Sequence, residues 1–136
     1  MEKKLKLVAV VMLGLLTVIS LRAWADNTES KHLLVEIDYG GVVPSRTVEA
    51  PTIKGRTVLE VLETVAEVET HPVGEYVFVT GIDGVYGKRG ETAWYYTVDG
   101  ESADRLAYSK VVNDGIKHIR WRYEQDVCSE KVDGKK

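Results

Sequence analysis

The chain has 136 residues, of which 44% are hydrophobic and 29% are charged, and its formal net charge at pH 7 is −3. A chain of this length has room for one small domain. Its acidic balance argues against nucleic-acid binding, because affinity for phosphate depends on clustered Lys and Arg side chains.

The N-terminus has the pattern of a secretory signal peptide. Three lysines within residues 1–6 precede an apolar run at residues 7–21, and Ala23-Trp24-Ala25 then matches the small-x-small pattern of a cleavage site. We predict a signal peptide at residues 1–25 and an exported chain, periplasmic or extracellular, that begins at Asp26. With 14 basic and 20 acidic side chains, that mature chain has a net charge of −6. The alternative is an uncleaved membrane anchor, although the apolar run is shorter than the ~20 residues that a spanning helix needs.

The predicted domain covers residues 33–124 and follows a polar linker at residues 26–32. Apolar side chains alternate along residues 33–39, which predicts a half-buried strand. Gly40-Gly41 predicts a turn after this strand, and residues 45–50 predict a return strand.

One helix is predicted next. Thr57 and Glu60 stand three residues apart, directly ahead of an apolar run, as in a helix capping box. The apolar side chains then recur at helical spacing as far as Val68. We therefore predict one amphipathic helix of roughly three turns that ends at His71-Pro72.

Three more strands complete the predicted fold. Residues 75–82 are apolar on both faces, which is typical of a central strand. Residues 94–98 form an aromatic strand that runs into Asp99-Gly100, a pair that favours a tight hairpin turn. Residues 116–123 form the closing strand. Together these elements predict an α+β fold, a β-grasp-like mixed sheet of about five strands with the helix packed on one face.

One face of this sheet is predicted to be open to water and charged. Glu36 and Asp38 of the first strand point to that face, and so do His118, Arg120 and Arg122 of the last strand. If the first and last strands are neighbours, as in this plan, we expect ion pairs between them.

The aromatic strand is the strongest indication of a binding function. Alternation along a strand places Trp94, Tyr96 and Val98 on one face and Tyr95 on the other. One interpretation assigns the aromatic side chains to the core or the sheet surface. The other is a shallow platform of Tyr95, Tyr86 and neighbouring turns that recognises a ligand or a protein. The candidate ligand-binding residues are Tyr95, Tyr86, Trp94, Tyr96 and Asp99.

Patterns that would indicate catalysis or metal binding are missing from the sequence. The three histidines lack a metal-ligand spacing, and no Gly-x-Ser-x-Gly elbow or phosphate-binding loop is present. Cys128 is the only cysteine and lies in a polar tail, residues 125–136, that we predict to be disordered. In an exported protein it is either a free thiol or half of an intermolecular disulfide. We therefore predict a protein that is not an enzyme and holds no metal.

Five motifs occur in one order along the chain. They are Tyr-Gly-Gly at residues 39–41, Gly-x-Thr-Val-Leu-x-x-Leu at 55–62, Val-x-x-Ile-Asp-Gly-Val at 79–85, Trp-Tyr-Tyr-x-Val-Asp-Gly at 94–100 and Asp-Gly-x-x-x-Ile-x-Trp-x-Tyr at 114–123. In this order the chain resembles the transcobalamin-like C-terminal domain that occurs in many exported bacterial proteins. The resemblance covers roughly residues 33–124 and implies a β-grasp-type fold.

The resemblance also implies a mode of binding. In the animal cobalamin carriers the related domain closes over cobalamin that is bound to a separate helical barrel, and this sequence contains no such barrel. We therefore expect an exported non-catalytic binding module that caps a cobalamin-like or other small ligand together with a separate partner. The alternative is a protein-interaction or accessory domain of the cell envelope that has no small-molecule ligand.

Overall fold

A computed structural model describes residues 31–129 of the chain. The predicted signal peptide, residues 1–25, lies outside the described residues, as do residues 26–30 of the predicted linker and residues 130–136 of the predicted tail. Within residues 31–129, no helix has both the length and the hydropathy that a membrane span needs.

The described residues form eight strands and one helix. The strands are β1 (His32–Asp38), β2 (Arg46–Pro51), β3 (Val68–Val73), β4 (Tyr76–Ile82), β5 (Val85–Tyr86), β6 (Thr92–Val98), β7 (Glu101–Ser102) and β8 (His118–Gln125). The helix, α1 (Val58–Val65), lies between β2 and β3 along the chain. The prediction of an α+β fold made mostly of strands is confirmed.

The large sheet has five strands in the order β2-β1-β8-β6-β7. Strand β1 is parallel to β8, whereas the other pairs are antiparallel. The prediction of a mixed sheet of about five strands with the first and last strands side by side is therefore confirmed, but the fifth strand is β7 and not the predicted strand at residues 75–82. Parallel neighbours cannot be joined by a hairpin, so the helix and the remaining strands all lie within the crossover connection between β1 and β8.

The predicted ion pairs on the open face of the large sheet are present. His118 Nε2 lies 3.0 Å from Glu36 Oε2, and Arg120 reaches both Glu36 (3.2 Å) and Asp38 (3.0 Å). Arg122 differs from the prediction because its partner is Glu124 of its own strand, at 3.5 Å. All of these side chains are partly exposed, so each pair stabilises the sheet by no more than about 1 kcal/mol.

The helix begins where the sequence predicts. Thr57 Oγ1 accepts from the backbone N–H of Glu60 at 3.2 Å, and the carboxylate of Glu60 accepts from the backbone N–H of Thr57 at 2.7 Å. This capping box satisfies two N–H groups that a helix N-terminus otherwise leaves without partners. The buried side chains of α1, Val58, Leu59, Val61 and Leu62, join the inward residues of the large sheet in one core.

The end of the helix was predicted wrongly. Helix α1 has eight residues instead of roughly three turns, and the backbone of Ala66 is already extended. The following residues form β3, which pairs with β4. Two hydrogen bonds hold this exit: Glu67 N–H donates to Asp83 Oδ1 (2.9 Å), and Asp83 N–H donates to the carbonyl of Glu67 (2.8 Å). Tertiary pairing of a segment rich in β-branched residues thus outweighs a weak helical periodicity.

Strand β3 creates a second sheet that the sequence did not predict. This small sheet has the order β3-β4-β5. Strand β4 is central in it, but it belongs to the small sheet and not to the large one. Its last two residues are buried, whereas Tyr76 and Phe78 are exposed. The apolar character of β4 on both faces therefore does not reflect burial of both faces.

Candidate functional site

Two of the predicted ligand-binding residues lie in the hydrophobic core. Trp94 and Tyr96 are 7% and 8% exposed, and each ring packs against an aromatic ring of β8. The indole N–H of Trp94 donates to the carbonyl of Val85 at 2.9 Å. The hydroxyl of Tyr96 donates to the carbonyl of Arg105, and burial raises the pKa of Tyr96 to about 12. Both polar groups are thus used within the fold.

Asp99 has a structural role in the hairpin after β6. Its φ is +49°, which the tight turn requires. Its Oδ1 accepts from the backbone N–H groups of Lys117 (3.0 Å) and His118 (2.9 Å), and its own N–H donates to the carbonyl of His118. Asp99 therefore anchors the hairpin to the beginning of β8.

Tyr95 lies on the opposite face of β6, as alternation predicts, but its hydroxyl is engaged. It donates to Asp126 Oδ1 at 3.3 Å and accepts from the backbone N–H of Val127 at 3.1 Å. Burial and the neighbouring Cys128 thiol raise the pKa of Tyr95 to about 12. The ring borders a cavity of about 190 Å³. That cavity is lined by Tyr95, Tyr96, Ser102, Ala103, Arg122, Glu124 and Val127.

The partner of Tyr95 is a C-terminal segment, residues 126–129, that the sequence assigned to the tail. The predicted domain boundary at residue 124 falls inside β8, which continues through Gln125. Asp126 is buried; it accepts from Gly90 N–H (2.9 Å) with one oxygen and from Cys128 and Ser129 N–H (3.0 Å each) with the other. These hydrogen bonds hold the pKa of Asp126 well below its usual range, and the one from Gly90 has the largest effect.

Asp126→Asn is expected to reduce the free energy of unfolding at pH 7 by more than it does in acid. The folded-state pKa lies below the ~3.9 of an unfolded Asp. The carboxylate therefore stabilises the fold above that pH, and its contribution is lost as the pH falls. Urea unfolding of both proteins at pH 7 and pH 3 measures the difference. Asp114→Asn, which removes an exposed pair with Lys31 at 3.3 Å, is the control; equal losses for Asp126→Asn at both pH values would contradict the prediction.

The Tyr95 cavity and a second cavity are both small and open to solvent. The second has a volume of about 280 Å³ and lies beside the Asp99 turn. Both fall below the ~300 Å³ at which ligand pockets usually begin. Within residues 31–129, no group of three or more His, Cys, Asp or Glu side chains is placed to hold a metal ion.

An exposed apolar surface lies instead on the small sheet. In the register of β3 and β4, Val73 is opposite Tyr76 and His71 is opposite Phe78. Opposite residues of an antiparallel pair share a face, so these four side chains form one surface, which we name the small-sheet face. Val73, Tyr76 and Phe78 are 54%, 50% and 40% exposed. The apolar pattern of β4 predicts a buried central strand, and so it does not indicate this surface.

Tyr86 is the aromatic residue of the predicted site that the structure leaves most exposed, at 51%. Its hydroxyl donates to Glu69 Oε1 at 2.9 Å, and this hydrogen bond raises the pKa of Tyr86. Its ring packs on Gly81, where an added Cβ would lie 2.6 Å from the Tyr86 ring. Tyr86 is thus held in place on the small sheet, apart from the Tyr95 cavity. The five predicted residues do not form one site.

Comparisons with known proteins agree with this architecture. A protein from Ruminococcus gnavus ATCC 29149, described as a candidate metal-binding protein, matches with a TM-score of 0.56 and 23% identity, over 71% of this chain and 98% of that one. Haptocorrin in complex with Cbi matches with a TM-score of 0.53 and 18% identity, over 75% of this chain but only 28% of haptocorrin. These likenesses support a fold like that of the transcobalamin-like C-terminal domain.

A search of curated proteins finds no match. Residues 55–125 match the family described as a domain of unknown function, DUF4430. Because this match spans more than half of the 136 residues, the chain belongs to the DUF4430 family.

Proposed function

We propose that the chain is an exported, non-catalytic binding module that acts by closing its small-sheet face on a separate partner. The observation that carries this proposal is the exposure of Val73, Tyr76 and Phe78 side by side on one face. Contiguous exposed apolar side chains can mark interaction sites, and Tyr is enriched among the residues that dominate binding energy. The small volumes of the Tyr95 cavity and of the cavity beside the Asp99 turn argue against a ligand enclosed by this chain alone.

The likeness to haptocorrin suggests what the partner does. The fold corresponds to 28% of that chain, so most of haptocorrin has no counterpart in the matched part of this chain. By analogy, and taking the fold as a β-grasp variant, this chain would cap a cobalamin-like ligand that a partner protein holds. The second candidate is an envelope accessory domain that docks on its partner with no small molecule between them. It is favoured by the small volumes of the described cavities, about 190 and 280 Å³.

Photo-crosslinking from the small-sheet face tests the proposal in the native envelope. A photoreactive phenylalanine analogue replaces Tyr76 in the full chain, and the control places it at Leu34, which is 42% exposed on the large sheet. We expect a discrete crosslinked partner from position 76 and none from position 34. No adduct from position 76, or the same adducts from both positions, would overturn the proposal.

A corrinoid titration separates the two candidates. Trp94 donates its indole N–H to Val85 of β5, so its emission reports on the small sheet. If the chain caps a corrinoid, cobalamin is expected to quench this emission and to increase the yield of the Tyr76 adduct. An adduct that forms equally with and without cobalamin favours the accessory-domain candidate.

A further inference from the structure

The negative charge of the described domain is concentrated in one region. Residues 57–87 contain five Glu and one Asp but no Lys or Arg. The rest of residues 31–129 holds 11 basic and 10 acidic side chains. All of the net negative charge of residues 31–129 therefore comes from the part of the chain that forms α1 and the small sheet.

The glutamates of this region lack the ion pairs that several other acidic residues of the domain form. Asp83 is neutralised by Arg46 at 2.7 Å, and on the large sheet Glu36 and Asp38 are paired as well. The five exposed glutamates have no Lys or Arg within ion-pair distance in the described part of the chain. They are Glu60, Glu63, Glu67, Glu69 and Glu75. Three of them, which we name the acidic rim, lie in or beside the β3–β4 hairpin: Glu67, Glu69 and Glu75.

The small-sheet face thus joins an apolar centre to an acidic rim. Charges around an interface select the partner by electrostatic complementarity, while the apolar centre supplies most of the affinity. A second copy of this chain is disfavoured, because it would bring like charges together. Anionic lipid and nucleic-acid phosphate are disfavoured for the same reason.

From this combination we infer that the small-sheet face binds a protein segment with an apolar centre and Lys or Arg side chains at its edges. The inference rests on the proposed function and adds the chemistry of the partner. It requires the carboxylates of the acidic rim to face the cations of that segment, and the side chains of Tyr76 and Phe78 to contact its apolar part.

Two synthetic peptides test the inference. They share one amphipathic apolar pattern, but one carries Lys and the other Glu at the polar positions. Fluorescence anisotropy with the full mature chain measures their binding at low and at high salt. We expect the Lys peptide to bind at least about tenfold more tightly than the Glu peptide at low salt, and this preference to shrink as salt screens the charges.

Matched variants assign the binding to the small-sheet face. Phe78→Ser is expected to weaken binding of the Lys peptide about tenfold, as for a residue at the centre of an interface. Glu75→Lys is expected to weaken it several-fold. The controls Leu34→Ser and Glu49→Lys make the same changes at exposed positions of the large sheet. Circular dichroism establishes that all four variants fold.

Two results would overturn the inference. One is equal binding of the two peptides. The other is an equal loss from Glu49→Lys and Glu75→Lys, since binding would then follow only the net charge of the chain. If Tyr76 still crosslinks to a partner in either case, the proposed function stands and only the chemistry assigned to the partner fails. If Tyr76 gives no adduct, the proposed function itself fails.

Discussion

Gly40→Ala is expected to reduce the free energy of unfolding by about 2–5 kcal/mol. Gly40 has φ +63°, which costs a residue with a Cβ about 1–2 kcal/mol. An added Cβ would also lie 2.5 Å from the backbone oxygen of Tyr123. Tyr123 belongs to β8, which is hydrogen-bonded to β1 on one side and to β6 on the other. Because β8 cannot move without disturbing both ladders, the clash adds a further cost of about 1–3 kcal/mol.

The next residue provides the matched control. Gly41 has φ +87°, but an added Cβ there meets nothing within 4 Å. Gly41→Ala therefore carries only the conformational cost, about 1–2 kcal/mol. Urea unfolding followed by tryptophan emission measures both variants. Equal losses would mean that the close approach of Gly40 to the backbone oxygen of Tyr123 adds no cost to the substitution.

The elements that the sequence predicted well have local signals. The capping box of Thr57 and Glu60 sets the start of α1, and the Asp99-Gly100 pair sets the hairpin after β6. The ion pairs of Glu36 with His118 and Arg120 were predicted from the alternation of side chains along the first and the last strand, together with the assumption that these two strands are neighbours. Alternation within a strand was sufficient to place their side chains on one face.

The elements that the sequence missed depend on distant partners. Strand β3 exists because β4 is available to pair with it, and Val68 suits a helix and a strand equally well when the partner is unknown. The folding of Asp126 onto the domain depends on Gly90 N–H and the Tyr95 hydroxyl, more than 30 residues away along the chain. No local pattern carries that information.

The candidate site changed for the same reason. Alternation correctly separated Tyr95 from Trp94 and Tyr96, but it could not indicate that the C-terminal segment occupies the Tyr95 hydroxyl. The exposure of Tyr76 and Phe78 follows from the division of the strands into two sheets, which depends on β3. A binding surface on the small sheet therefore could not be predicted from the side-chain pattern of each strand taken separately.

A cluster of three side chains connects the large sheet to the small one. Arg46 donates from Nη2 to Asp83 Oδ2 and to the carbonyl of Val65, each at 2.7 Å, and from Nε to the hydroxyl of Tyr39 at 3.1 Å. The Tyr39 hydroxyl donates in turn to Asp83. Burial raises the pKa of Asp83, but the hydrogen bonds from Tyr39 and Arg46 outweigh it and leave this pKa below its ordinary value.

Arg46→Met is expected to reduce the free energy of unfolding by about 2 kcal/mol at pH 7. It leaves the Asp83 carboxylate and the Val65 carbonyl without their strongest donor. The loss stays below the 3–5 kcal/mol of a fully buried pair, because the side chains of Arg46 and Asp83 are 37% and 27% exposed. Urea unfolding measures it against Lys110→Met, which removes a surface pair with Asp104 at 2.8 Å and is expected to cost no more than about 1 kcal/mol.

The pH dependence of the Arg46→Met effect identifies Asp83 as the group that Arg46 supports. Because the folded-state pKa of Asp83 is lowered, its ionised form contributes stability above the ~3.9 of an unfolded Asp, and this contribution is lost as the pH falls through the folded-state pKa. Without Arg46 that pKa rises, so the difference between wild type and variant should be full at pH 7 and should shrink below about pH 4. A loss that stays constant down to pH 3 would assign the role of Arg46 to the Val65 carbonyl and the Tyr39 hydroxyl alone. Arg46 would then stabilise the fold through hydrogen bonds to uncharged acceptors instead of through its ion pair with Asp83.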